Sequence, residues 1–130
     1  MKKRIPILLL LSTLMLSGCA APQNSTNTYR QITMDEAAVM MEQEPDSIIL
    51  DVRTPEEFAE RRIPGAINIP NETIGTAEIP ELPDKDQLIL VYCRSGRRSK
   101  LAAEKLVALG YTNIVEFGGI NDWKGEVESS

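Results

Sequence analysis

The chain has 130 residues, of which 14 are basic, 19 are acidic and none is histidine. This length suits one domain, and an excess of acidic residues argues against binding nucleic acid. Without histidine, a Cys-His pair and a Ser-His-Asp triad are excluded, and zinc sites lose their commonest nitrogen ligand. We therefore expect neither a metal nor another cofactor.

The first 18 residues have the pattern of a secretory signal peptide. Lys2-Lys3-Arg4 is followed by an apolar stretch over 5–16, which is shorter than the ~20 residues that span a bilayer. The sequence Leu16-Ser17-Gly18-Cys19 resembles the bacterial lipoprotein signal, in which the cysteine is lipidated, with palmitate among its acyl chains, and becomes the N-terminus. An ordinary signal peptide with a cysteine at its cleavage site is the alternative.

The lipoprotein pattern predicts a mature chain held on a membrane of the bacterial cell envelope, outside the cytoplasm. Its lipidated N-terminus and a small, polar, flexible tether would occupy 19–28, the domain 29–125 and a polar, frayed tail 126–130. Removing the signal leaves 11 basic and 19 acidic residues, a net charge of −8. Attachment through the N-terminal lipid is therefore expected, rather than through a basic surface.

Beyond the tether, apolar runs alternate with helical patterns. Capping boxes are predicted at Thr33 with Glu36 and at Thr54 with Glu57, where Pro55 takes the first helical position. The predicted elements of the first half are a strand over 29–32, a helix to about 43, a strand over 48–52, a short helix ended by Pro64-Gly65 and a strand over 66–69. An irregular connection over 70–87, a central strand over 88–92, a helix over 99–109, a strand over 114–117 and a short helix with Ile120 and Trp123 follow.

The helix over 99–109 has the clearest pattern, and Gly110 is suited to end it. Its buried face is predicted to carry Leu101, Ala102, Lys105, Leu106 and Leu109. Alternating strands and helices predict an α/β fold with a mostly parallel central sheet and helices on both faces. Because ligands bind beyond the carboxyl ends of such strands, we expect Asp51 and Cys93 to share one crevice. Trp123 is expected in the core.

Cys93 stands between a predicted strand and a predicted helix. Four of the 11 basic residues of the mature chain lie in the seven positions from Arg94 to Lys100. Backbone N–H groups, a helix N-terminus and arginine stabilise a thiolate and an anion beside it. With Cys19 lipidated, Cys93 would be the only thiol, so no disulfide could form within the mature chain. The pattern favours a reactive nucleophile over an inert buried cysteine.

Four motifs in order resemble those of the rhodanese domain, a sulfurtransferase module with a three-layer α/β fold, over about residues 30–124. They are Asp51-Val52-Arg53 with Glu56-Glu57-Phe58, then Ile63-Pro64-Gly65-Ala66-Ile67-Asn68-Ile69-Pro70, then the active loop Val91-Tyr92-Cys93-Arg94-Ser95-Gly96-Arg97-Arg98-Ser99, and Gly118-Gly119-Ile120 with Trp123. The chain departs from the family pattern at Arg61-Arg62, where Gly-His is common, and in its short, proline-rich connection over 70–87.

The resemblance implies that the Cys93 thiolate attacks a sulfane donor such as thiosulfate and becomes a persulfide. Cyanide or a thiol, the latter possible on a partner protein, would then remove the sulfur. Donor binding is implied for the loop residues Arg94, Ser95, Gly96, Arg97 and Arg98. Within the loop, Arg94 and Arg97 would face the donor, whereas Arg98 would brace the loop.

Asp51, Arg53 and Ser99 are expected to support the site rather than to react. Asp51 could accept N–H groups of a loop, and Arg53 could pair with Asp51 or Glu57. With no long exposed apolar stretch in the sequence, we expect a monomer.

Two other functions fit parts of the pattern. A cysteine phosphatase or arsenate reductase needs an arginine six residues after its cysteine, but Ser99 holds that position and Arg98 comes one residue earlier. The loop is therefore one residue too small for a phosphate, which favours attack at sulfur. A non-catalytic rhodanese-like binding module is the other alternative, although inactive versions typically lack the cysteine that this chain keeps.

Overall fold

The computed structural model describes residues 28–130. The predicted signal peptide, the lipidation site Cys19 and all but the last residue of the predicted tether lie outside the described residues. Between 28 and 130, no helix is long and apolar enough to cross a membrane.

Within residues 28–130, five parallel strands form one sheet in the order β1-β5-β4-β2-β3. They are β1 (Arg30–Gln31), β2 (Ile48–Asp51), β3 (Ile67–Asn68), β4 (Ile89–Cys93) and β5 (Ile114–Gly119). The predicted α/β fold with a parallel sheet is confirmed, and β4 is the central strand as predicted. Because β4 is parallel to β2 and β5, its carboxyl end, where Cys93 lies, is at the same edge as theirs.

The helices are α1 (Met34–Gln43), α2 (Pro55–Glu60) and α3 (Arg97–Ala108), with 3-10 turns at Asn71–Thr73 and Ile120–Asp122. Both predicted capping boxes are present, at Thr33 for α1 and at Thr54 for α2. However, α2 ends at Glu60 rather than at Pro64, because Arg61 is already extended, with φ −163° and ψ 132°.

The core lies on both faces of the sheet, with α3 on one and α1 on the other. Alternate residues of β4 point to opposite faces: Val91 and Cys93 pack with α3, whereas Leu90 and Tyr92 pack with α1. The Cys93 side chain is therefore directed to the face that α3 covers.

The start and the buried face of α3 differ from the prediction. The helix begins at Arg97, two residues earlier than expected, with Gly96 as its N-cap. The residues it buries are Ser99, Ala102, Ala103 and Leu106. Leu101, predicted to be buried, is 42% exposed. The buried stripe is shifted around the helix because its first turn places the small side chain of Ser99 against the sheet.

The polar tail does not fray as predicted. Arg62 and Glu128 exchange two backbone hydrogen bonds of 2.9 Å as an antiparallel bridge, and the Ser130 N–H donates to the Ala59 carbonyl at 2.8 Å. Trp123 is half-buried rather than fully in the core. It packs against the buried residues on the face of the sheet that α1 covers, and its Nε1 donates to the Glu126 carbonyl at 2.9 Å. Backbone pairing therefore orders a segment whose side chains give no apolar signal.

Candidate active site

Cys93 ends β4 with its side chain beneath the loop that leads into α3. It is 1% exposed, and its Sγ accepts the Gly96 N–H at 3.0 Å and lies 3.3 Å from Ser99 Oγ. Gly96 adopts φ +106°, which only glycine reaches without strain, and this conformation lets the chain turn into α3 directly after the residue whose N–H is bound to the sulfur. Residues 94–96 thus fold over the thiol instead of extending away from it.

The loop closes on the end of β5. Arg94 accepts the Asn121 N–H at 3.2 Å through its carbonyl oxygen. A Cβ placed on Gly119 would lie 2.1 Å from that same oxygen, so only glycine allows the two backbones to come this close. The Gly118-Gly119 motif therefore has a direct role in shaping the loop around Cys93.

The three loop arginines occupy two different environments. Arg94 and Arg97 are exposed, whereas Arg98 is half-buried and donates two hydrogen bonds to the Glu57 carboxylate, at 2.6 and 3.0 Å. These bonds from Arg98 lower the pKa of Glu57 to about 2, helped by the Thr54 N–H and opposed by burial. Arg98 thus joins the first turn of α3 to the first turn of α2.

Asp51 and Arg53 form a buried ion pair below the loop. Arg53 donates from Nε and Nη2 to both Asp51 oxygens, with the shortest distance 2.6 Å, and its backbone N–H donates to Oδ1 at 2.9 Å. Arg53 therefore pairs with Asp51, not with Glu57. Next to this pair, Tyr92 accepts the Ile63 N–H at its phenolic oxygen.

The crevice at this edge of the sheet is lined by neither Asp51 nor Cys93. Its volume is about 390 Å³ and its lining includes Arg53, Arg61 and Arg94, so the expectation that Asp51 and Cys93 share this crevice is wrong. Asp51 is fully buried, because both its oxygens are turned inward to Arg53. Its contacts are those of a structural support for the strand end.

The prediction missed Glu116, a buried carboxylate next to the thiol. Glu116 lies in the middle of β5 and is 3% exposed. Its Oε2 accepts from Ser99 Oγ at 3.1 Å and from the Gly118 N–H at 2.6 Å. The sequence did contain a signal for this buried carboxylate, because Glu116 interrupts the apolar run before Gly118-Gly119 just as Asp51 interrupts the apolar run of β2.

Neither a metal-binding cluster nor a second cysteine accompanies Cys93 within the described residues. Within 28–130, no three acidic or cysteine side chains come together as a metal site needs. Over the same range Cys93 is a free cysteine. The arrangement can hold a sulfur anion against the Gly96 N–H and present two exposed arginines, Arg94 and Arg97, to a second anion.

Comparisons with known proteins agree on one family. A family model described as the rhodanese-like domain matches residues 33–126. Thiosulfate sulfurtransferase PspE of Escherichia coli (strain K12) is 40% identical over 73 residues, which are 56% of this chain and 70% of that protein. A solved structure described as rhodanese with anions from E. coli superposes with a TM-score of 0.59 at 34% identity, covering 65% of this chain and 99% of that one.

A larger relative contains the same unit. Adenylyltransferase and sulfurtransferase UBA4 of Candida albicans (strain SC5314 / ATCC MYA-2876) is 42% identical over 89 residues, 63% of this chain. The match spans only 20% of that protein. The similarity therefore concerns one part of a longer chain.

Proposed function

The chain belongs to the rhodanese-like domain family of sulfurtransferases, and from this premise we propose that it moves sulfane sulfur from thiosulfate or a related donor through a persulfide on Cys93. The observation that carries the proposal is the Cys93 Sγ, buried and bound by the Gly96 N–H at 3.0 Å at the start of α3. A thiolate in this position is stabilised by backbone N–H groups and by the positive end of the helix.

Each step balances without an outside oxidant. The Cys93 thiolate attacks the outer sulfur of thiosulfate, a new S–S bond forms, and the donor's S–S bond breaks as sulfite leaves with the electron pair. Cyanide or a thiolate then attacks the terminal sulfur of the persulfide. Cyanide leaves as thiocyanate, or a thiol acceptor leaves as its own persulfide, and the Cys93 thiolate is restored.

The loop charges suit an anionic donor. Arg94 and Arg97 are exposed beside the buried thiol, so both can approach a dianion from solvent. Arg98 is bound to Glu57 by two hydrogen bonds and is placed to hold the loop rather than to meet the donor. We assign donor binding to Arg94, Arg97 and the backbone of the loop.

A single-turnover experiment with the full chain tests the proposal. Thiosulfate is expected to add the mass of one sulfur atom at Cys93, and later cyanide should release thiocyanate and remove that mass. Cys93→Ser should lose both signals, whereas Cys19→Ser, the matched cysteine control, should keep them in detergent. The proposal fails if the wild type gains no sulfur, or if Cys93→Ser transfers it equally well; hydrolysis of an aryl phosphate would instead support the phosphatase alternative.

We further propose that the enzyme acts while attached to a membrane of the bacterial cell envelope, through lipid on Cys19 and outside the cytoplasm. Support comes from the sequence: a basic start, an apolar stretch and Leu-Ser-Gly before Cys19. Such a position restricts the acceptors to thiols, cyanide or partner proteins on that side of the membrane.

A further inference from the structure

A chain of three side chains leads from the thiol into the sheet. Cys93 Sγ lies 3.3 Å from Ser99 Oγ, and Ser99 Oγ lies 3.1 Å from Glu116 Oε2. All three residues are buried, at 1%, 0% and 3% exposure. The directions fit a relay, since the thiol can donate to the hydroxyl oxygen while the hydroxyl donates to the carboxylate.

The fold alone gives no reason for a carboxylate at this position. Glu116 lies on β5, an inner strand between β1 and β4, where an apolar side chain would pack against α3 as Ile114 does. Burying a carboxylate is strongly unfavourable unless hydrogen bonds compensate for it. Glu116 receives those bonds from Ser99 and from the Gly118 N–H, so its position is built rather than accidental.

We propose that Glu116 takes the proton of the Cys93 thiol through Ser99, as the positioning residue that prepares the nucleophile in a chain without histidine. This inference rests on the proposed function, because only a reactive Cys93 needs a proton acceptor. The buried site then holds one negative charge throughout, first on Glu116 and then on Cys93.

The proton movement is balanced. The Cys93 S–H proton passes to Ser99 Oγ as the Ser99 hydroxyl proton passes to Glu116 Oε2, which leaves a thiolate, an intact hydroxyl and a neutral carboxyl group. The thiolate is then free to attack, and sulfite leaves as a dianion that requires no proton. Because Glu116 and Cys93 are never negatively charged at the same time, the step avoids the repulsion between two buried negative charges.

Other groups near the relay do not replace it. Ser99 Oγ also lies within reach of the Gly96 and Gly118 carbonyls, at 3.0 and 3.4 Å, but a hydroxyl donates more strongly to a charged acceptor. On β1, Gln31 Nε2 is 3.5 Å from Glu116 Oε1 and does not titrate.

Two titratable neighbours interact with the ends of the relay. Burial, followed by Glu104 and Glu116, raises the pKa of Tyr29 above its ordinary value of 10.0, so this phenol stays neutral around neutral pH. Arg98 interacts electrostatically with Cys93. The hydrogen bond to Glu57 is the main cause that raises the pKa of the Arg98 guanidinium, so Arg98 stays cationic. Neither group can act as the proton acceptor under these conditions.

The test is the rate at which a neutral alkylating agent, iodoacetamide, modifies Cys93 in the full chain. Glu116→Gln keeps an oxygen for the Gly118 N–H but cannot take the proton. We expect its alkylation near neutral pH to be about tenfold slower or more, because an unassisted thiol is only about a few per cent thiolate there. At strongly alkaline pH the two rates should converge, since solvent then deprotonates the thiol.

Two further variants define the outcome. Ser99→Ala interrupts the relay and should show the same pH-dependent loss, whereas Glu104→Gln, which removes an exposed carboxylate from α3, should match the wild type. A Glu116→Gln rate equal to or faster than that of the wild type would overturn the proposal, because Glu116 would then only shape the turn or oppose the thiolate. A uniform loss at every pH would overturn it as well.

Alkylation needs no sulfur donor, so the two proposals can fail separately. If the wild type transfers no sulfur but Glu116→Gln shows the pH-dependent loss, the relay stands and the sulfurtransferase proposal falls. If sulfur transfer proceeds and alkylation does not respond to Glu116→Gln, the relay falls and the sulfurtransferase proposal stands.

Discussion

At the scale of single residues, Glu57 serves two elements at once. Its carboxylate accepts the Thr54 N–H at 3.3 Å in the capping box of α2 and the two Arg98 bonds from α3. Both side chains of the ion pair are about a quarter exposed, so the pair is partly shielded from solvent. A residue whose sequence pattern indicates only a helix cap is therefore also an anchor of the loop around Cys93.

The pair predicts a specific loss of stability in acid. The pKa of Glu57 is about 2 in the folded chain against an ordinary 4.5. Its contribution to the free energy of unfolding is therefore complete above pH 4.5 and disappears as the pH falls toward 2. Glu57→Gln should lower the free energy of unfolding by about 1 to 2 kcal/mol at neutral pH, measured by urea denaturation, and the difference from the wild type should shrink toward pH 2.

Glu56→Gln is the matched control for this prediction. Glu56 is exposed in the same helical turn and carries the same charge, so its substitution should change stability little. Equal losses in the two variants, or a Glu57→Gln deficit that persists in strong acid, would show that the Arg98 pair does not stabilise the fold.

Local chemistry was predictable from the sequence where the residues are neighbours in the chain. Cys93 and the basic residues after it stand together, so their clustering is visible without a structure. The Arg98–Glu57 contact joins residues 41 positions apart, and Ser99 and Glu116 are 17 apart. Such pairs depend on which strands adjoin, and periodicity along one strand does not supply that information.

At the scale of elements, the contact between Gly119 of β5 and the loop after β4 fixes the shape of the site. The two strands pair with a register shift between Val91 and Cys93, after which Cys93 is opposite Gly119. This shift brings the Arg94 carbonyl onto Gly119, at the distance that a Cβ would fill. The same geometry places the N-cap of α3 at Gly96. A sequence pattern based on side-chain caps misses this position, because glycine has no side chain that could cap the helix.

Gly119→Ala should therefore damage the loop and the strand pairing together. The added methyl group meets backbone atoms that cannot rotate away, so we expect a loss of about 1 to 3 kcal/mol in the free energy of unfolding. Sulfur transfer should fall with it, measured as thiocyanate formation at a temperature where the variant is still folded. Gly75→Ala is the control, because Gly75 has open space around its Cβ position and no positive φ. If both variants behave as the wild type, the close approach is not required.

At the scale of the whole molecule, the order of elements was predictable and the packing of the ends was not. Alternating apolar runs and capping boxes fix a parallel sheet with helices on both faces, because parallel strands need crossover connections. The pairing of Glu128 with Arg62 uses backbone groups, which any sequence possesses. A polar tail therefore gives no sign of its partner until the strands and α2 are in place.

The charge of the predicted mature chain makes the membrane proposal testable. The 11 basic and 19 acidic residues that follow the predicted signal give −8, so an anionic lipid surface repels the domain, and the proposal requires lipid on Cys19 to hold the mature chain there. The wild type should therefore stay with the membrane fraction in high salt and enter the detergent phase. Cys93→Ser, the cysteine control, should do the same, and Cys19→Ser should lose the lipid-modified N-terminus.

An uncleaved signal could by itself keep Cys19→Ser on the membrane, so fractionation needs a second measurement. Mass spectrometry of the N-terminal peptide of the wild type supplies it, because the proposal requires a chain that begins at Cys19 and carries acyl groups on that residue. A mature chain that begins at another residue, or an unmodified Cys19, contradicts the anchor even if the protein sediments with membranes. The result also decides where sulfur acceptors must be sought, since a lipid-anchored domain meets only the thiols on its own side of the bilayer.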